Sequence, residues 1–220
     1  MAVVPLYIVS GFLGSGKTTF LSNIADLFHG ERKIAIIQTE FPLSSVDRSF
    51  KDIIGKSVAL LELNRGSVSN LSLSRSNVSE ITDFIDEVKP EAVFLELSGL
   101  ADLHSAINFL FDDEIRRRLF FCKSYVIADA TRFEHEVTFL ARVKRQLRLA
   151  DCILINKIEK LNRLESPEKI VEGYMYKKIE SGIRKISPHS SLFPTLYSRL
   201  PQEEINYIYK KSVDNDSLRR

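Results

Sequence analysis

Short apolar runs rich in β-branched residues alternate along the chain with longer stretches whose hydrophobic positions recur every three or four residues. The runs predict strands over Val3–Val9, Lys33–Gln38, Ser57–Leu63, Ala92–Glu96, Ser124–Ala128, Cys152–Ile155 and Leu192–Thr195. The helical spacing predicts helices over Lys17–Phe28, Val78–Val88, His104–Leu119, Arg132–Leu149, Pro167–Ser181 and Gln202–Lys211. Strands that are apolar throughout are covered on both faces, and the intervening helices supply the covers. The pattern therefore predicts an α/β fold: a doubly wound, mostly parallel sheet with helices on both faces. No repeat or linker interrupts it, so residues 1–211 are expected to form a single domain, followed by a polar tail over 212–220. Serines at 67, 69, 72, 74, 76 and 79 offer the backbone competing hydrogen bonds, which argues against a helix at the start of the stretch 66–80.

The first strand runs directly into Gly11-Phe12-Leu13-Gly14-Ser15-Gly16-Lys17-Thr18, a complete G-x-x-x-x-G-K-[ST] phosphate loop between a strand and a helix. Phosphate oxygens must come within reach of successive backbone N–H groups, which calls for few Cβ atoms and for positive φ. Three of the nine glycines of the chain fall in this loop. The helix opening at Lys17 points its first amides and positive end at the anion. Lys17 supplies a mobile charge to the β- and γ-phosphates, and the Thr18 hydroxyl is the magnesium ligand. The expected phosphate contacts are Gly11, Leu13, Gly14, Ser15, Gly16, Lys17, Thr18 and Thr19.

Two further strand ends carry matching chemistry. Ala92–Glu96 ends on an acid that would hold the magnesium hydration shell, and the Gly99 amide just beyond it is placed to bond the γ-phosphate. Losing that phosphate would release the segment Gly99 to Asp102. The run Cys152–Ile155 delivers Asn156-Lys157-Ile158-Glu159, close to the N-K-x-D guanine motif but with an acid one methylene longer. A carboxylate at Glu159 suits the two donors of guanine and would face an acceptor at adenine N1. GTP is the expected substrate, with ATP the alternative.

Composition narrows the partners. The chain of 220 residues is 44% hydrophobic and 27% charged, ordinary for a globular domain, and its net charge of +2 calls for neither nucleic acid nor a membrane surface. Arg116 to Arg118, and Arg142, Lys144, Arg145 and Arg148, read as solvated helix faces. Cys122 and Cys152 lie in apolar runs and read as reduced core thiols. Ala2 to Val9 lack a basic leader and run straight into Gly11, and no apolar stretch reaches membrane-spanning length; a cytoplasmic location is expected.

Together the motifs resemble the CobW/UreG/HypB family of P-loop GTPases, which serve metal-centre and cobalamin enzymes. The resemblance rests on Gly11 to Thr19, Thr39-Glu40-Phe41, Glu96-Leu97-Ser98-Gly99-Leu100-Ala101-Asp102, Asp129-Ala130, Ala150-Asp151 and Asn156-Lys157. It implies a doubly wound parallel sheet, slow GTP hydrolysis linked to a dimer or a client, and a place for Glu40 near the γ-phosphate and magnesium. Two departures stand out. The Cys-x-Cys-Cys motif of the CobW branch is replaced by Gly66-Ser67-Val68-Ser69-Asn70, so its transition-metal site is not carried over. The further C-terminal domain of many relatives is likewise expected to be absent. No residue stands out as the group orienting an attacking water, and no arginine finger is identifiable in cis. The expected function is a slow GTPase switch or chaperone for a metallo- or corrinoid-dependent client, with a homodimer possible in that mechanism. An ATP-using small-molecule kinase, with Arg116 to Arg118 as its lid, and a binding module with little turnover are the alternatives.

Overall fold

The computed structural model describes residues 3–39, 58–63, 75–99 and 109–217. Glu40, residues 66–70, residues 100–102 and His104 lie outside these. Seven strands form one sheet: β1 (Val4–Ser10), β2 (Ile34–Gln38), β3 (Val58–Glu62), β4 (Ala92–Glu96), β5 (Leu119–Asp129), β6 (Cys152–Asn156) and β7 (Ser191–Thr195). Their order is β3-β2-β4-β1-β5-β6-β7, and every pairing among them is parallel. Parallel strands need crossover helices, which cover both faces; β1, β2, β4 and β6 are accordingly buried at every residue. The edge strand β7 is largely exposed and tolerates Pro194, which has no N–H to give the ladder.

Among the described residues the helices are α1 (Lys17–Phe28), α2 (Arg75–Val88), α3 (Asp113–Arg116), α4 (Phe133–Phe139), α5 (Ala141–Arg148), α6 (Pro167–Glu172), α7 (Tyr174–Ile186) and α8 (Gln202–Ser217), with a 3-10 turn at Ile158–Lys160. On one face Leu6, Ile8, Val93 and Leu95 pack against Ile81 and Ile85 of α2. On the other, Tyr7, Val9 and Phe94 pack against Phe20, Leu21 and Ile24 of α1 and Ile208 of α8. Tyr7 and Phe94 are partners in the β1–β4 ladder, and their rings stack at 5.0 Å. Phe20 lies 5.4 Å from the Tyr125 ring, which anchors α1 over β5 and so fixes where the helix begins.

Several predicted boundaries move. The helix expected over His104–Leu119 is helical in its described part at 109–110 and at Asp113–Arg116, where the Asp112 side chain accepts from Glu114 N. From Leu119 the chain is strand, because Leu119 to Phe121 pair with Val4 to Leu6 before a register shift. Arg118 therefore does not continue a solvated helical face; its guanidinium forks onto Asp86 and also reaches Glu114. Arg142, Arg145 and Arg148 do lie on the exposed face of α5, opposite buried Val143 and Leu147.

The helix expected over Arg132–Leu149 breaks at Leu140, which is extended at φ −116° and ψ 97°. The break keeps Phe133, Val143 and Leu147 on the sheet together. Gly173, extended, likewise divides Pro167–Ser181 and lets α7 run on to Ile186. Helix α2 is described from Arg75, inside the serine-rich stretch, and α8 is described to Ser217 through buried Ser212, whose hydroxyl donates to Ile208 O.

Candidate nucleotide-binding site

Ser10 leaves the sheet at its centre, because β1 lies between β4 and β5. Ligands of open α/β sheets bind beyond the carboxyl ends of the strands where the winding reverses, and here that point is the end of β1. Gly11, Gly14 and Gly16 all have positive φ in the loop that follows. At Gly16 glycine is required twice over: φ is 115°, and a Cβ would lie 2.5 Å from both Asn156 Nδ2 and Ser198 Oγ. α1 then opens at buried Lys17 with no acidic residue in its first turn and no side-chain cap. No carboxylate of its own first turn offsets the positive end of the helix, the arrangement that favours an anion there.

The loop is held through its carbonyls. Lys157 Nζ donates to Gly14 O at 2.6 Å, Asn156 Nδ2 to Ser15 O at 2.8 Å and Ser198 Oγ to Gly16 O at 3.0 Å. Arg132 Nη2 donates to Leu13 O at 2.6 Å. In a planar trans peptide the C=O and the next N–H point in opposite directions. Drawing these carbonyls one way turns the amides of Gly14, Gly16 and Lys17 the other way; the Ser15 amide closes a turn onto Phe12 O.

The acid at the end of β4 sits in register with Val9 of β1 and Gln38 of β2. Glu96 is 2% exposed, and Gln38 Nε2 donates to its Oε2. Thr39 Oγ1 donates to Glu96 O and accepts from Ser98 N at 2.9 Å, tying the ends of β2 and β4 together. Beyond them Gly99 lies directly on the phosphate loop: a Cβ there would be 2.8 Å from Leu13 N and 3.1 Å from the Phe12 carbonyl carbon. Thr18 stands half-buried in the first turn of α1 beside Thr19, which is also half-buried. Thr18 and Glu96 offer oxygen donors, the ligand type that suits magnesium. Glu40 is outside the described residues.

On the other flank Lys157 takes the left-handed conformation, φ 62°. Its Nζ also reaches Asp129 Oδ2 at 2.6 Å. Asp129 is 1% exposed and accepts from both the amide and the hydroxyl of Thr131. Burial pushes its carboxyl up, but the hydrogen bonds from Lys157 and Thr131 outweigh that and hold it below the usual carboxylate range. Glu159 lies in the 3-10 turn after Lys157; its Oε2 is out of water and has no hydrogen-bond partner among the described residues.

Two residues of this arrangement have no local signal in the sequence. Ser198 follows β7, in tandem left-handed residues with Tyr197, and besides its bond to Gly16 O it gives its amide to Asn156 Oδ1 at 2.8 Å. Asn23 Nδ2 of α1 donates to Tyr197 O, bracing that strained turn. Arg132, three residues past the end of β5, is the other. Among the described residues no group of three His, Cys, Asp or Glu side chains could hold a metal ion.

The pattern of the CobW/HypB/UreG nucleotide-binding domain matches residues 5–182. The chain belongs to this family. It is 28% identical to zinc-regulated GTPase metalloprotein activator 1 of Saccharomyces cerevisiae over 225 residues, covering 92% of this chain and 50% of that protein. It is 29% identical to the zinc chaperone YjiA of Escherichia coli over 173 residues, covering 72% of this chain and 51% of that one. The chain thus spans about half the length of the curated relatives it matches. Its fold is shared with the hydrogenase maturation factor HypB of Archaeoglobus fulgidus, with a TM-score of 0.64 at 14% identity over 96% of this chain and 91% of that one. The matched residues carry β1 to β6 and the loop after β1, while β7 and Ser198 lie beyond them. Among the described residues no helix is long and apolar enough to cross a membrane.

Proposed function

We propose that this chain binds GTP with magnesium, hydrolyses it slowly, and acts as a switch or chaperone for a metal-centre or corrinoid-dependent client protein. The observation that carries the reading is the bond between the two halves of the nucleotide site. Asn156 and Lys157, the pair expected at the base, are hydrogen-bonded to Ser15 O and Gly14 O of the phosphate loop. A chain that only cradled phosphates would need no such coupling. Glu159 supports guanine, because a carboxylate oxygen buried without a donor gains most from a ligand edge that carries two N–H groups.

In this reading the amides of the loop and Lys17 take the β- and γ-phosphates. Thr18 and Glu96 would hold magnesium, which supplies charge neutralisation to the triphosphate when bound. The Gly99 backbone, already on the loop, would sense the γ-phosphate through its amide. Glu40, outside the described residues, is proposed as a further magnesium ligand. Hydrolysis depends on positioning and charge, and no side chain at the described site is placed as a base for water, so turnover on the order of once per minute or less is expected in the isolated chain. Dimerisation or the client would accelerate it.

The names of two relatives refer to zinc. Here residues 66–70 carry no thiol, and the two cysteines of the chain sit in β5 and β6. Burial pushes the Cys122 thiol up to about 11, which disfavours the thiolate a soft metal needs. A role acting on the client, without thiolate carriage of metal, fits these residues. Of the three arginines that could imitate a kinase lid, Arg118 is committed to Asp86 and Glu114.

Fluorescent GTP competed by ATP tests the base assignment. GTP should bind at least about tenfold more tightly, and Glu159→Ala should bring the two together. Unchanged GTP affinity in that variant would falsify the guanine assignment. Phosphate release without an acceptor separates the GTPase from the kinase and from a module without turnover. Rapid single-turnover hydrolysis by a monomer would sink the idea of a partner-dependent enzyme.

A further inference from the structure

Among the described residues, the phosphate loop meets a charged side chain that no base or phosphate motif contains. Arg132 projects from the turn after β5, and its Nη2 donates to Leu13 O at 2.6 Å. It lies so close to the loop that a Cβ at Gly14 would come within 3.2 Å of Nη2. The same guanidinium is held from behind: Nε lies 3.2 Å from Asp129 Oδ2 and 3.4 Å from Glu136 Oε1. Both carboxylates are buried, whereas the Arg132 side chain is 45% exposed.

Asp129 thereby serves two cations at once. One of its oxygens is shared by Arg132 and Lys157, and these two donors take the consecutive carbonyls of Leu13 and Gly14. The peptide that carries Leu13 C=O also carries Gly14 N–H, on its opposite edge. A cation at the oxygen both fixes the plane of that peptide and draws electron density towards itself, which makes the N–H a stronger donor.

We propose that Arg132 is a positioning residue for phosphate binding: through Leu13 O it holds the Gly14 amide towards the triphosphate and strengthens it. It touches neither base nor phosphate in this role. The inference rests on the nucleotide reading above but not on the identity of the base, because the peptide it orients belongs to the phosphate loop alone.

The test uses Arg132→Met, which keeps the apolar stem and removes the charge, and Arg132→Lys, which restores a cationic donor. Affinities for magnesium-GTP are read with a fluorescent ribose-labelled analogue, guanosine is titrated as a millimolar competitor, and thermal unfolding is followed in parallel. Loss of a charged hydrogen bond behind the loop should weaken GTP by about tenfold in R132M. Guanosine should compete as it does against the wild type, R132K should regain most of the GTP affinity, and melting should stay close to wild type in both variants. A positioning role is refuted by unchanged GTP affinity in R132M, by an equal loss for guanosine, or by R132K doing no better than R132M. A wild-type chain that binds neither GTP nor ATP removes the nucleotide reading itself, and this inference with it.

Discussion

The two flanks of the phosphate loop are built on opposite principles. On the β4–β2 side contact is made by the lack of a side chain: Gly99 lays its backbone on residues 11–13, and a single methyl there would press on Leu13 N at 2.8 Å. On the β5–β6–β7 side contact is made by side chains, with Arg132, Lys157, Asn156 and Ser198 each taking one carbonyl of residues 13–16. The first flank is short of room, and its buried acid, Glu96, accepts from the neutral side-chain amide of Gln38. The second concentrates full charges around buried Asp129. That division suits the proposed switch, with a flank in backbone contact beside a loop held by side chains.

The largest effect is expected at the residue both flanks serve. Lys17→Ala should lower magnesium-GTP affinity on the order of a hundredfold or more, because a charged donor to phosphate is lost from a buried position. Calorimetry reads this directly, and a variant that still saturates at wild-type concentrations removes the phosphate assignment. Next comes the room-limited flank. Gly99→Ala should destabilise the fold by about 2 kcal/mol, as overpacking against backbone does, with GTP affinity falling alongside; urea unfolding indistinguishable from wild type would show that the contact has slack.

On the other flank Asn156→Ala removes two buried hydrogen bonds, to Ser15 O and from Ser198 N, and should cost about 2 kcal/mol. Unlike Gly99→Ala it leaves space and not strain, so Asn156→Ser should recover part of the loss, whereas no residue larger than glycine should succeed at 99. Equal behaviour of the two sites on enlarging and trimming would erase the contrast between them. The smallest effect concerns acid. Asp129 has its folded-state pKa depressed, so the stability it contributes is complete above the ordinary carboxylate range and drains away as pH falls through its folded value. Acid unfolding should therefore lose part of its pH dependence in Asp129→Asn, and an unaltered acid limb would mean that Asp129 does not govern that flank.

Local chemistry was enough to locate the sheet and the loop. Continuous apolar runs mark strands buried on both faces, and β1, β2, β4 and β6 lie within a residue or so of where that pattern places them. Glycines at 11, 14 and 16 announce positive φ because only glycine adopts it without strain, and all three adopt it. Asn156 and Lys157 are legible as a pair at a strand end. The helices beside β5 and β6 were not, because an apolar period of three or four residues continues straight across Leu140 and Gly173, where the chain is extended. Phe120 and Phe121 fit a helical pattern as well as a strand, and pairing with β1 settles the matter for strand.

Backbone conformation and burial pattern are encoded within a few residues of where they act, so the amino-acid sequence by itself determined the α/β alternation, the phosphate loop and the polar residues at the strand ends. What braces that loop was decided only in three dimensions. Arg132 meets Leu13 across 119 residues and Ser198 meets Gly16 across 182, encounters that exist because the strand order sets β5, β6 and β7 in sequence beside β1.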